Sequence, residues 1–399
     1  MNEVILVINA GSSSIKFSLI SSHAEFNILY HGKFENMSDS PCLTIFNENN
    51  VQVLKKNISS KSNDSALQTF FNWFEELADS MKLKAVGHRV VHGGMHFNEP
   101  TVVTDDVMLK IENLIPLAPL HQPHNLEAIK TIKKIYPKLM QVACFDTTFH
   151  RTKERLATIF AIPKSLSEEG IVRYGFHGIS FEFIASVMSK YIDELKHARV
   201  IVAHLGNGAS MCAMYQGKSV ATTMGLTALD GLMMGTRCGA IDPGVLLYLL
   251  QDKHYTVKQL EHLLYNESGL LGVSGISHDV RELLLSADAN AKEAIELFCY
   301  RAALELGSLV AALKGCDALI FTAGIGENSA FIRKKICERL TWLGIQIDDE
   351  ANIKNSPVIS KNGSQIIVSV IPANEEYMIA KHTLSVVEHT QMHPVTGQS

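Results

Sequence analysis

Short apolar runs separated by clusters of Gly, Ser and Asn predict that the chain begins with β-strands. Further along, apolar residues recur at helical spacing, which is typical of helices packed on a sheet. The predicted strands of the first half are residues 4–9, 15–20, 28–34, 43–46, 85–91 and 140–145, and the predicted helices are residues 64–81, 105–115 and 124–136. Hairpins followed by alternating helices and strands favour an α/β domain.

The second half repeats this order of elements: strand, small-residue turn, strand, and then alternating helices and strands. Its predicted strands are residues 200–205, 211–215, a third after Gly217, 318–321 and 366–371, and its predicted helices are residues 291–313, 328–343 and a last one from Asn374. A chain of 399 residues is long enough for two domains of about 150 residues or more each. We expect one α/β domain over residues 1–150, with the C-terminal helix 375–399 packed on it, and a second over residues 151–374.

The composition is that of an ordinary globular protein, with 46% hydrophobic and 19% charged residues. A net charge of -5 with scattered basic residues argues against nucleic acid as the main partner. The N-terminus lacks the basic start of a signal peptide, and no apolar stretch approaches the roughly 20 residues that span a bilayer. The seven cysteines are widely spaced without a C-x-x-C pair, which indicates reduced thiols in a cytoplasmic protein.

Three glycine-rich segments follow predicted strands and suggest a bound phosphate group. They are NAGSSSIKF at residues 9–17, HLGNGAS at 204–210 and TAGIGEN at 322–328. Gly and Ser let the backbone approach a ligand closely, so that N–H groups and hydroxyls surround phosphate oxygens, and Lys16 adds a positive charge. One such segment could be an ordinary hairpin turn, but three suit a nucleotide in an interdomain cleft. None is a Walker loop or a G-x-G-x-x-G dinucleotide motif.

Two arginines and one aspartate occur where an anionic substrate would need them. Arg89 ends an apolar strand in GHRVVHGG, and Arg237 lies in the glycine-rich segment GLMMGTRCGAIDPG. A guanidinium group matches a carboxylate or a phosphate, although either arginine could instead pair with a local acid such as Asp242. Asp146 follows a predicted strand in FDTTFH, where the chain turns polar.

Histidines and acids in three other segments allow both a catalytic and a structural interpretation. His177 lies beside glycines in RYGFHGIS, and His121 lies in PLAPLHQPH, whose prolines predict an ordered loop. Both could equally be packed or turn histidines, since the chain has 17. NEE at residues 374–376 begins the last helix, where acids suit the helix dipole but could also hold Mg²⁺. No paired Cys/His spacing indicates zinc.

Taken in order along the chain, these segments resemble the acetate and propionate kinase family, the acetokinases. The resemblance runs from NAGSSSIKF at residue 9 to NEE at residue 376 and includes GHRVVHGG, FDTTFH, RYGFHG, HLGNGAS and GLMMGTR. It implies an α/β, duplicated actin-like ATPase fold, shared with sugar kinases and heat-shock ATPases, with two domains and an interdomain cleft. It also implies reversible transfer of the ATP γ-phosphoryl group to the carboxylate of acetate, with Mg²⁺ or Mn²⁺ as cofactor. The products would be acetyl phosphate and ADP, in a homodimer that serves acetyl-CoA biosynthesis.

The resemblance also assigns roles to matching positions. The expected catalytic residues are Arg89, His121, Asp146, His177 and Arg237. The residues expected to contact the substrate are Arg89 and the walls of an acyl pocket, which are Val91, Leu120, Phe176 and Ala228. Asn9 and Glu375 would position Mg²⁺. The nucleotide and its phosphates would contact Ser12, Ser14, Lys16, His204, Leu205, Gly206, Asn207, Gly208, Asp279, Val280, Arg281, Gly324, Ile325, Gly326, Glu327 and Asn328.

The chemistry of the acceptor fits these residue types. A carboxylic acid has a pKa of about 4, so acetate is already ionised at neutral pH and needs no general base. Asp146 is therefore expected to orient the substrate, an arginine or the metal shell rather than remove a proton. Arg, His and Mg²⁺ suit direct in-line transfer, in which catalysis depends on positioning and on stabilising charge at the equatorial oxygens.

The chain departs from the family pattern at Gln122, Ala221, Ala228, Ala240 and His278. Ala228 bears on the choice of substrate, because it replaces a proline that forms one wall of the acyl pocket. A smaller wall could admit an extra methylene, worth roughly 1 kcal/mol. Propionate, as another short-chain fatty acid, is therefore the alternative substrate.

Two functions of other kinds remain open on the sequence. A sugar or polyol kinase of the same fold would need a base beside a hydroxyl and a polar pocket, whereas Val91, Leu120 and Phe176 are apolar. A nucleotide-regulated binding protein, like the chaperone ATPases or actin, would not need two arginines and a histidine at the γ-phosphate. Trapping of an acyl hydroxamate with ATP and a fatty acid distinguishes the three.

Overall fold

The structure is a computed structural model that describes residues 2–11, 14–23, 25–35, 40–58, 63–77 and 79–392. This part of the chain forms two compact units. Unit 1 comprises the described residues of Met1–Thr148 and Asn374–Ser399, and unit 2 comprises Phe149–Ala373.

Strands and helices alternate through most of both units. The strands are β1 (Asn2–Ala10), β2 (Ile15–Ser21), β3 (Ile28–Glu35), β4 (Cys42–Asn47), β5 (Gln52–Asn57), β6 (Met81–Val90), β7 (Thr101–Val102), β8 (Gln141–Phe145), β9 (Arg199–Leu205), β10 (Ala209–Tyr215), β11 (Lys218–Thr222), β12 (Ala318–Thr322) and β13 (Ile367–Val370). The α-helices are α1 (Asn63–Glu75), α2 (Asp105–Glu112), α3 (Gln122–Ile135), α4 (Lys164–Glu168), α5 (Gly178–Tyr191), α6 (Pro243–Gln251), α7 (Val257–Asn266), α8 (Gly269–Ser274), α9 (Val280–Leu285), α10 (Ala289–Leu313), α11 (Ala323–Asn328), α12 (Ala330–Glu338), α13 (Asp349–Ile353) and α14 (Glu375–Met392). Short 3₁₀ helices occur at Ile115–Leu117, Thr148–Thr152, Arg155–Ala157, Asp193–His197 and Thr341–Leu343.

Unit 1 is built on a mixed sheet whose strands lie in the order β5-β4-β3-β2-β1-β6-β8-β7. The strands from β1 to β5 form an antiparallel meander, whereas β6 runs parallel to β1 and β8 runs parallel to β6. Neighbouring parallel strands bring their carboxyl ends to one edge of a sheet. Asn9 near the end of β1, Arg89 near the end of β6 and Asp146 just after β8 therefore lie along the same edge.

The apolar residues of the central strands of unit 1 are buried beneath helices. Phe70 and Phe71 of α1 pack in one cluster with Phe17 and Phe34 of the sheet. The last helix, α14, packs on β1, β6 and β8. This contact is close, because a β-carbon at Gly87 of β6 would collide with the Thr383 hydroxyl and the Ile379 side chain of α14.

Unit 2 repeats the central part of the same sheet. Its strands lie in the order β11-β10-β9-β12-β13, with β9, β10 and β11 antiparallel and β12 parallel to both β9 and β13. The strands β3-β2-β1-β6-β8 of unit 1 have the same order and directions, so β4, β5 and β7 are additions to a shared plan. The predicted α/β class and duplicated actin-like ATPase fold are thus confirmed.

The longest helix of unit 2 is largely core. α10 buries residues such as Phe298, Cys299 and Leu306, and leaves Tyr300 and Leu304 partly exposed. It begins where the Asp288 side chain accepts a hydrogen bond from a first-turn N–H. Among the residues that the structure describes, no helix has both the length and the apolar character needed to cross a membrane.

Several segments differ from the sequence-based prediction. The glycine segment 322–328 was predicted as a loop but forms the short helix α11, and α3 begins directly after His121, where a loop was predicted. Pro123 is tolerated in the first turn of α3 because the N–H groups there have no helical acceptor. The helix predicted over residues 64–81 ends at Glu75, since β6 already begins at Met81. β5, β7 and the helices α6 to α9 were not predicted individually.

Candidate active site

Arg89 and Asp146 form a bidentate ion pair at the edge of the unit 1 sheet. Arg89 Nη2 donates to Asp146 Oδ2 over 2.6 Å, and Arg89 Nε donates to both carboxylate oxygens over 3.1 and 3.2 Å. Asp146 is buried, and its N–H donates to the carbonyl of Val90. Burial by itself lowers the pKa of Arg89, but the negative charges of Asp146 and Glu375 outweigh it and raise this pKa above its ordinary value. Arg89 is therefore a fixed cation that Asp146 orients.

Asn9 and Glu375 both lie close to the Arg89 guanidinium. Arg89 Nη1 is 3.4 Å from Asn9 Oδ1, and Arg89 Nε is 3.7 Å from Glu375 Oε2. A small pocket is lined by Val7, Asn9, Lys16, Phe17, Glu375, Glu376 and Ile379. Amide and carboxylate oxygens are the ligands that Mg²⁺ prefers, and this ion commonly takes only one or two from protein and the rest from water and phosphate. The residues present therefore fit a magnesium ion.

The turn between β1 and β2 carries further residues that the sequence assigned to phosphate. The carbonyl of Ser14 accepts a hydrogen bond from the Gly11 N–H over 2.9 Å, which closes the turn. Lys16 is the second residue of β2, pairs in register with Asn9 and has an exposed side chain. Ser12 lies outside the described residues.

The chain that follows β6 is held by two buried amides of α3. Asn125 Oδ1 accepts from the Val91 N–H over 3.1 Å, and its Nδ2 donates to the Ala10 carbonyl over 2.8 Å. Gln122 Oε1 accepts from the His92 N–H over 3.2 Å, and its Nε2 donates to the His92 carbonyl over 2.9 Å. The departure at Gln122 thus provides two hydrogen bonds to one backbone residue. Asn125 was not identified from the sequence, where it is one of several polar residues in a helical pattern.

Three further predicted residues of unit 1, Val91, Leu120 and His121, adjoin these amides along the chain or through a hydrogen bond. Val91 is buried directly after β6. Leu120 and His121 are half-buried, and His121 is the residue from which α3 begins.

In unit 2, His177 and His204 stack face to face. Their ring centroids are 4.2 Å apart with the planes at 14°. His177 Nδ1 is hydrogen-bonded to Ser210 Oγ, and His204 Nδ1 to Ser180 Oγ, each over 2.8 Å. His177 also has a left-handed backbone, with φ of 56°. Such a conformation is unfavourable for a residue with a β-carbon, so the surroundings must maintain it.

Arg237 and His177 converge on Gly208 in the turn between β9 and β10. A β-carbon at Gly208 would lie 3.3 Å from Arg237 Nη2 and 3.4 Å from His177 Nε2. Arg237 Nη1 donates to the carbonyl of Ala228 over 2.7 Å. A guanidinium and an imidazole, the donors that suit an anionic group, are therefore neighbours at a glycine where a ligand can approach the backbone.

A cavity of about 500 Å³ adjoins the same turn. It is lined by Gly206, Asn207, His278, Asp279, Val280, Arg281, Leu284, Gly324, Ile325, Asn328 and Ser329. Residues from segments 204–208, 279–281 and 324–328, which the resemblance assigned to the nucleotide, thus meet in unit 2. His278, Leu284 and Ser329 also line the cavity, and they were not assigned to the nucleotide from the sequence. The predicted His204, Leu205, Gly208, Gly326 and Glu327 are not part of the lining. A hydrogen bond from the Arg281 side chain is the main cause that lowers the pKa of Asp279 to about 2.

Glu327 and Arg333 hold the two ends of α11, which forms one wall of this cavity. Glu327 Oε1 accepts from the N–H groups of Ala323 and Ala373 over 2.7 and 2.9 Å. Arg333 is fully buried, and its Nη1 donates to the carbonyls of Gly326 and Glu327. Burial lowers the pKa of Arg333 to about 10, which leaves it charged at neutral pH. Arg333 was not identified from the sequence, because nothing in its local pattern distinguishes it from a surface arginine.

Comparison with known proteins finds relatives along almost the whole chain. A model of the acetokinase family matches residues 4–381. The acetate kinase of Rhodopseudomonas palustris strain TIE-1 is 49% identical over 389 residues, which is 96% of this chain and 98% of that protein. A propionate kinase from Francisella tularensis subsp. tularensis SCHU S4 has a TM-score of 0.91 at 40% identity. The Porphyromonas gingivalis acetate kinase has a TM-score of 0.87 at 34% identity, and each of these two structures covers 96% of this chain over 100% of its own length.

Proposed function

The chain belongs to the acetokinase family, and on this premise we propose that it acts as an ATP:acetate phosphotransferase. It transfers the γ-phosphoryl group of ATP reversibly to the carboxylate of acetate, giving acetyl phosphate and ADP. The family explains the kind of reaction, and the geometry of each unit suggests what its residues contribute.

The observation that carries this proposal is the position of the turn between β9 and β10. Gly206 and Asn207 line the cavity of about 500 Å³, and Gly208 of the same turn lies against Arg237 and His177. Ligand pockets commonly have volumes of this size. A nucleotide in the cavity would direct its phosphates along the N–H groups of the turn toward the guanidinium and the imidazole.

Arg237 and His177 then act on charge rather than on protons. The acetate carboxylate is ionised at neutral pH and attacks without a base. In the transition state the equatorial oxygens of the transferring group carry more of the charge, and fixed donors stabilise it there. We therefore assign direct in-line transfer, and detection of a phosphorylated enzyme intermediate by rapid-quench labelling would contradict this assignment.

In unit 1, Arg89 is assigned to the anionic substrate and Asp146 to Arg89. The bidentate pair leaves Asp146 with its oxygens committed to the guanidinium, which supports an orienting role over proton removal. Because Asp146 binds one edge of the planar Arg89 guanidinium, the remaining N–H groups point away from that carboxylate. His121 directly precedes α3 and is assigned a supporting contact to the transferring group.

Asn9 and Glu375 are assigned to Mg²⁺, with Mn²⁺ as an ion that accepts the same oxygen ligands. When bound, the ion neutralises phosphate charge. Asn9 would hold the ion from near the end of β1, and Glu375 would hold it from the start of α14.

Acetate is the proposed substrate, and propionate is the second candidate. We assign contacts with the acyl group to Val91 and Leu120 in unit 1 and to Phe176 and Ala228 in unit 2. The small side chain of Ala228 favours the second candidate, because it leaves room beside the carbonyl that holds Arg237. Relatives named for each of the two substrates match this chain across nearly its whole length.

Hydroxylamine trapping tests the proposal directly. Purified protein is incubated with ATP, Mg²⁺, hydroxylamine and acetate, propionate or butyrate, and the acyl hydroxamate is measured against a control without ATP. We expect product with acetate, less with propionate and least with butyrate. Absence of hydroxamate with all three acids would overturn the proposal and favour a sugar kinase or a nucleotide-regulated binding protein.

A homodimer is part of the proposal. The helix α6 of unit 2 exposes Leu247 and Tyr248, each more than half accessible, and α10 exposes Tyr300 and Leu304. Burial of such side chains against a second copy would stabilise the pair. Sedimentation of the purified protein at micromolar concentration tests this, and a sedimentation mass equal to the 44.0 kDa chain would contradict it.

The cytoplasm is the proposed location. All seven cysteines are free thiols, and burial raises the pKa of Cys212, Cys299 and Cys316 to about 12. Unpaired thiols are typical of a reducing compartment. Fractionation of cells with an antibody to the protein tests the location.

A further inference from the structure

A buried histidine without an assigned role contacts the segment that carries Phe176 and His177. His150 lies in the 3₁₀ helix Thr148–Thr152 and is 2% exposed. Its Nε2 is 2.9 Å from the carbonyl oxygen of Phe176, and its Nδ1 is 2.9 Å from Ser219 Oγ in β11. Both ring nitrogens are thus hydrogen-bonded within unit 2.

The partners of His150 determine its protonation. A carbonyl oxygen only accepts, so Nε2 carries the hydrogen and donates it to Phe176. Nδ1 then accepts from the Ser219 hydroxyl, which in turn accepts from Cys212 Sγ over 3.3 Å. Burial, with the positive charge of Lys153 as a second cause, lowers the pKa of His150 to about 3, which keeps the ring neutral. The tautomer of His150 is therefore defined, with its hydrogen on Nε2.

The backbone before His177 is held on two sides. Lys153 Nζ donates to the carbonyls of Arg173 and Tyr174 over 2.7 and 3.1 Å, next to the bond from His150. On the other side, the Gly225 carbonyl accepts hydrogen bonds from the N–H groups of Tyr174 and Gly175. Gly175 has φ of 84° and lies against the His150 ring. These contacts hold the chain directly before the left-handed His177.

We propose that His150, supported by Ser219, is a positioning residue that fixes Phe176 and His177 for phosphoryl transfer. The inference rests on the proposed acetate kinase activity. Loss of the bond to the Phe176 carbonyl would let the His177 ring move away from Arg237 and would shift the Phe176 side chain. Nucleotide affinity would change little, because the cavity is lined by other segments.

Two substitutions of His150 test the contributions of its two ring nitrogens separately. In His150→Gln the amide nitrogen occupies the place of Nε2 and keeps the donor to Phe176, whereas in His150→Asn the shorter amide reaches only toward Ser219. For His150→Asn we expect kcat to fall about 10- to 100-fold and the KM for acetate to rise, since a misplacement of about 1 Å costs on this order. The KM for ATP should stay unchanged. His150→Gln should recover most of the lost kcat.

Controls keep a structural role distinguishable from a positioning role. His254→Asn makes the same change at an exposed histidine and should leave kinetics unaltered. Ser219→Ala removes only the hydroxyl behind the ring and should lower kcat in the same direction but less. Wild-type kinetics in His150→Asn, or equal losses in the Gln and Asn variants with unchanged KM values and a lower Tm, would overturn the inference. Lack of hydroxamate formation by the wild-type protein would instead overturn the proposed function.

Discussion

Arg89 keeps a permanent positive charge in a partly buried position because two carboxylates lie beside it. Asp146 takes two of its N–H donors, and Glu375 lies 3.7 Å away. The Arg237 guanidinium donates to a neutral group, the carbonyl of Ala228. Asp146 therefore orients Arg89 through opposite charge as well as through hydrogen bonds.

Replacement of Arg89 by Lys tests whether the planar fork matters. Lys keeps the charge but cannot bind Asp146 through two donors while facing a substrate. We expect kcat/KM for acetate to fall about 100-fold or more, the order of loss seen when one donor to a developing anion is removed. Steady-state kinetics of Arg89→Lys beside the exposed control Arg155→Lys measures this. Equal kinetics in the two variants would contradict the proposed role of Arg89.

Ala228 tests substrate choice at the scale of one methyl group. Val in its place keeps the backbone carbonyl that accepts from Arg237 and adds bulk beside it. We expect the ratio of kcat/KM for acetate over propionate to rise about tenfold, because one methylene in an apolar pocket is worth about 1–3 kcal/mol. Competition between the two acids in the hydroxamate assay gives the ratio. An unchanged ratio would mean that Ala228 does not line the acyl pocket.

At the scale of elements, α3 organises the ends of two neighbouring strands. Asn125 joins the carbonyl of the last residue of β1 to the N–H directly after β6, and Gln122 binds both backbone groups of His92. These polar groups are buried, so each lost bond leaves an unsatisfied donor or acceptor. One helix therefore sets the conformation from which Val91 is presented.

Gln122→Ala measures the contribution of this helix. Two backbone groups of His92 would lose their partners, which we expect to lower the free energy of unfolding by about 2–4 kcal/mol. Urea unfolding followed by circular dichroism gives the change. The exposed Gln251 at the end of α6 provides the matched control, and Gln251→Ala should shift stability by less than about 0.5 kcal/mol. A similar small shift in Gln122→Ala would contradict the expectation.

The sequence predicts correctly those strands whose buried residues form an apolar run in the sequence itself. β1, β2, β9 and β12 have buried apolar runs, and each was predicted within a few residues. β5 is polar and exposed at the sheet edge, and β7 has two residues, so neither carries a local signal. The helix α11 could not be predicted, because its glycines disfavour a helix. Glu327 and Arg333 stabilise it through contacts with Ala373 and with the carbonyls at its end.

Local sequence pattern was likewise insufficient to predict how the residues of the candidate site contact one another. Arg89 and Asp146 were each identified from sequence, but their pairing across 57 positions depends on the parallel arrangement of β6 and β8. From the sequence alone, the partner of Asp146 could have been the substrate, an arginine or the metal shell. His150 was quoted within a motif without a role, because its acceptor at Phe176 belongs to a distant segment.

At the scale of the whole molecule, each unit contains a buried neutral histidine. In unit 1, His88 Nε2 donates to Gln141 Oε1 over 2.7 Å, and burial lowers the pKa of His88 from 6.5 to about 4. In unit 2, His150 has its pKa lowered to about 3, again chiefly by burial. In the unfolded chain both rings bind a proton near their ordinary pKa, so acid favours unfolding of each unit.

This predicts the direction of the pH dependence of stability. Below pH 6.5 and above about pH 4, the unfolded state binds protons that folded His88 and His150 do not, so stability falls as the pH falls. Each histidine should contribute about 1.4 kcal/mol per pH unit in this interval. Urea unfolding at a series of pH values measures the slope, and His88→Gln should reduce it. A slope unaffected by the substitution would contradict the assignment.

The return of α14 to the first unit has a consequence for synthesis. Residues up to Thr148 leave the ribosome long before the helix that packs on β1, β6 and β8, since all of unit 2 is translated in between. Glu375, assigned to Mg²⁺, arrives with that same helix. A nascent chain therefore exposes the apolar surface around Gly87 until α14 has been synthesised, and it gains the proposed metal ligand when this surface is covered.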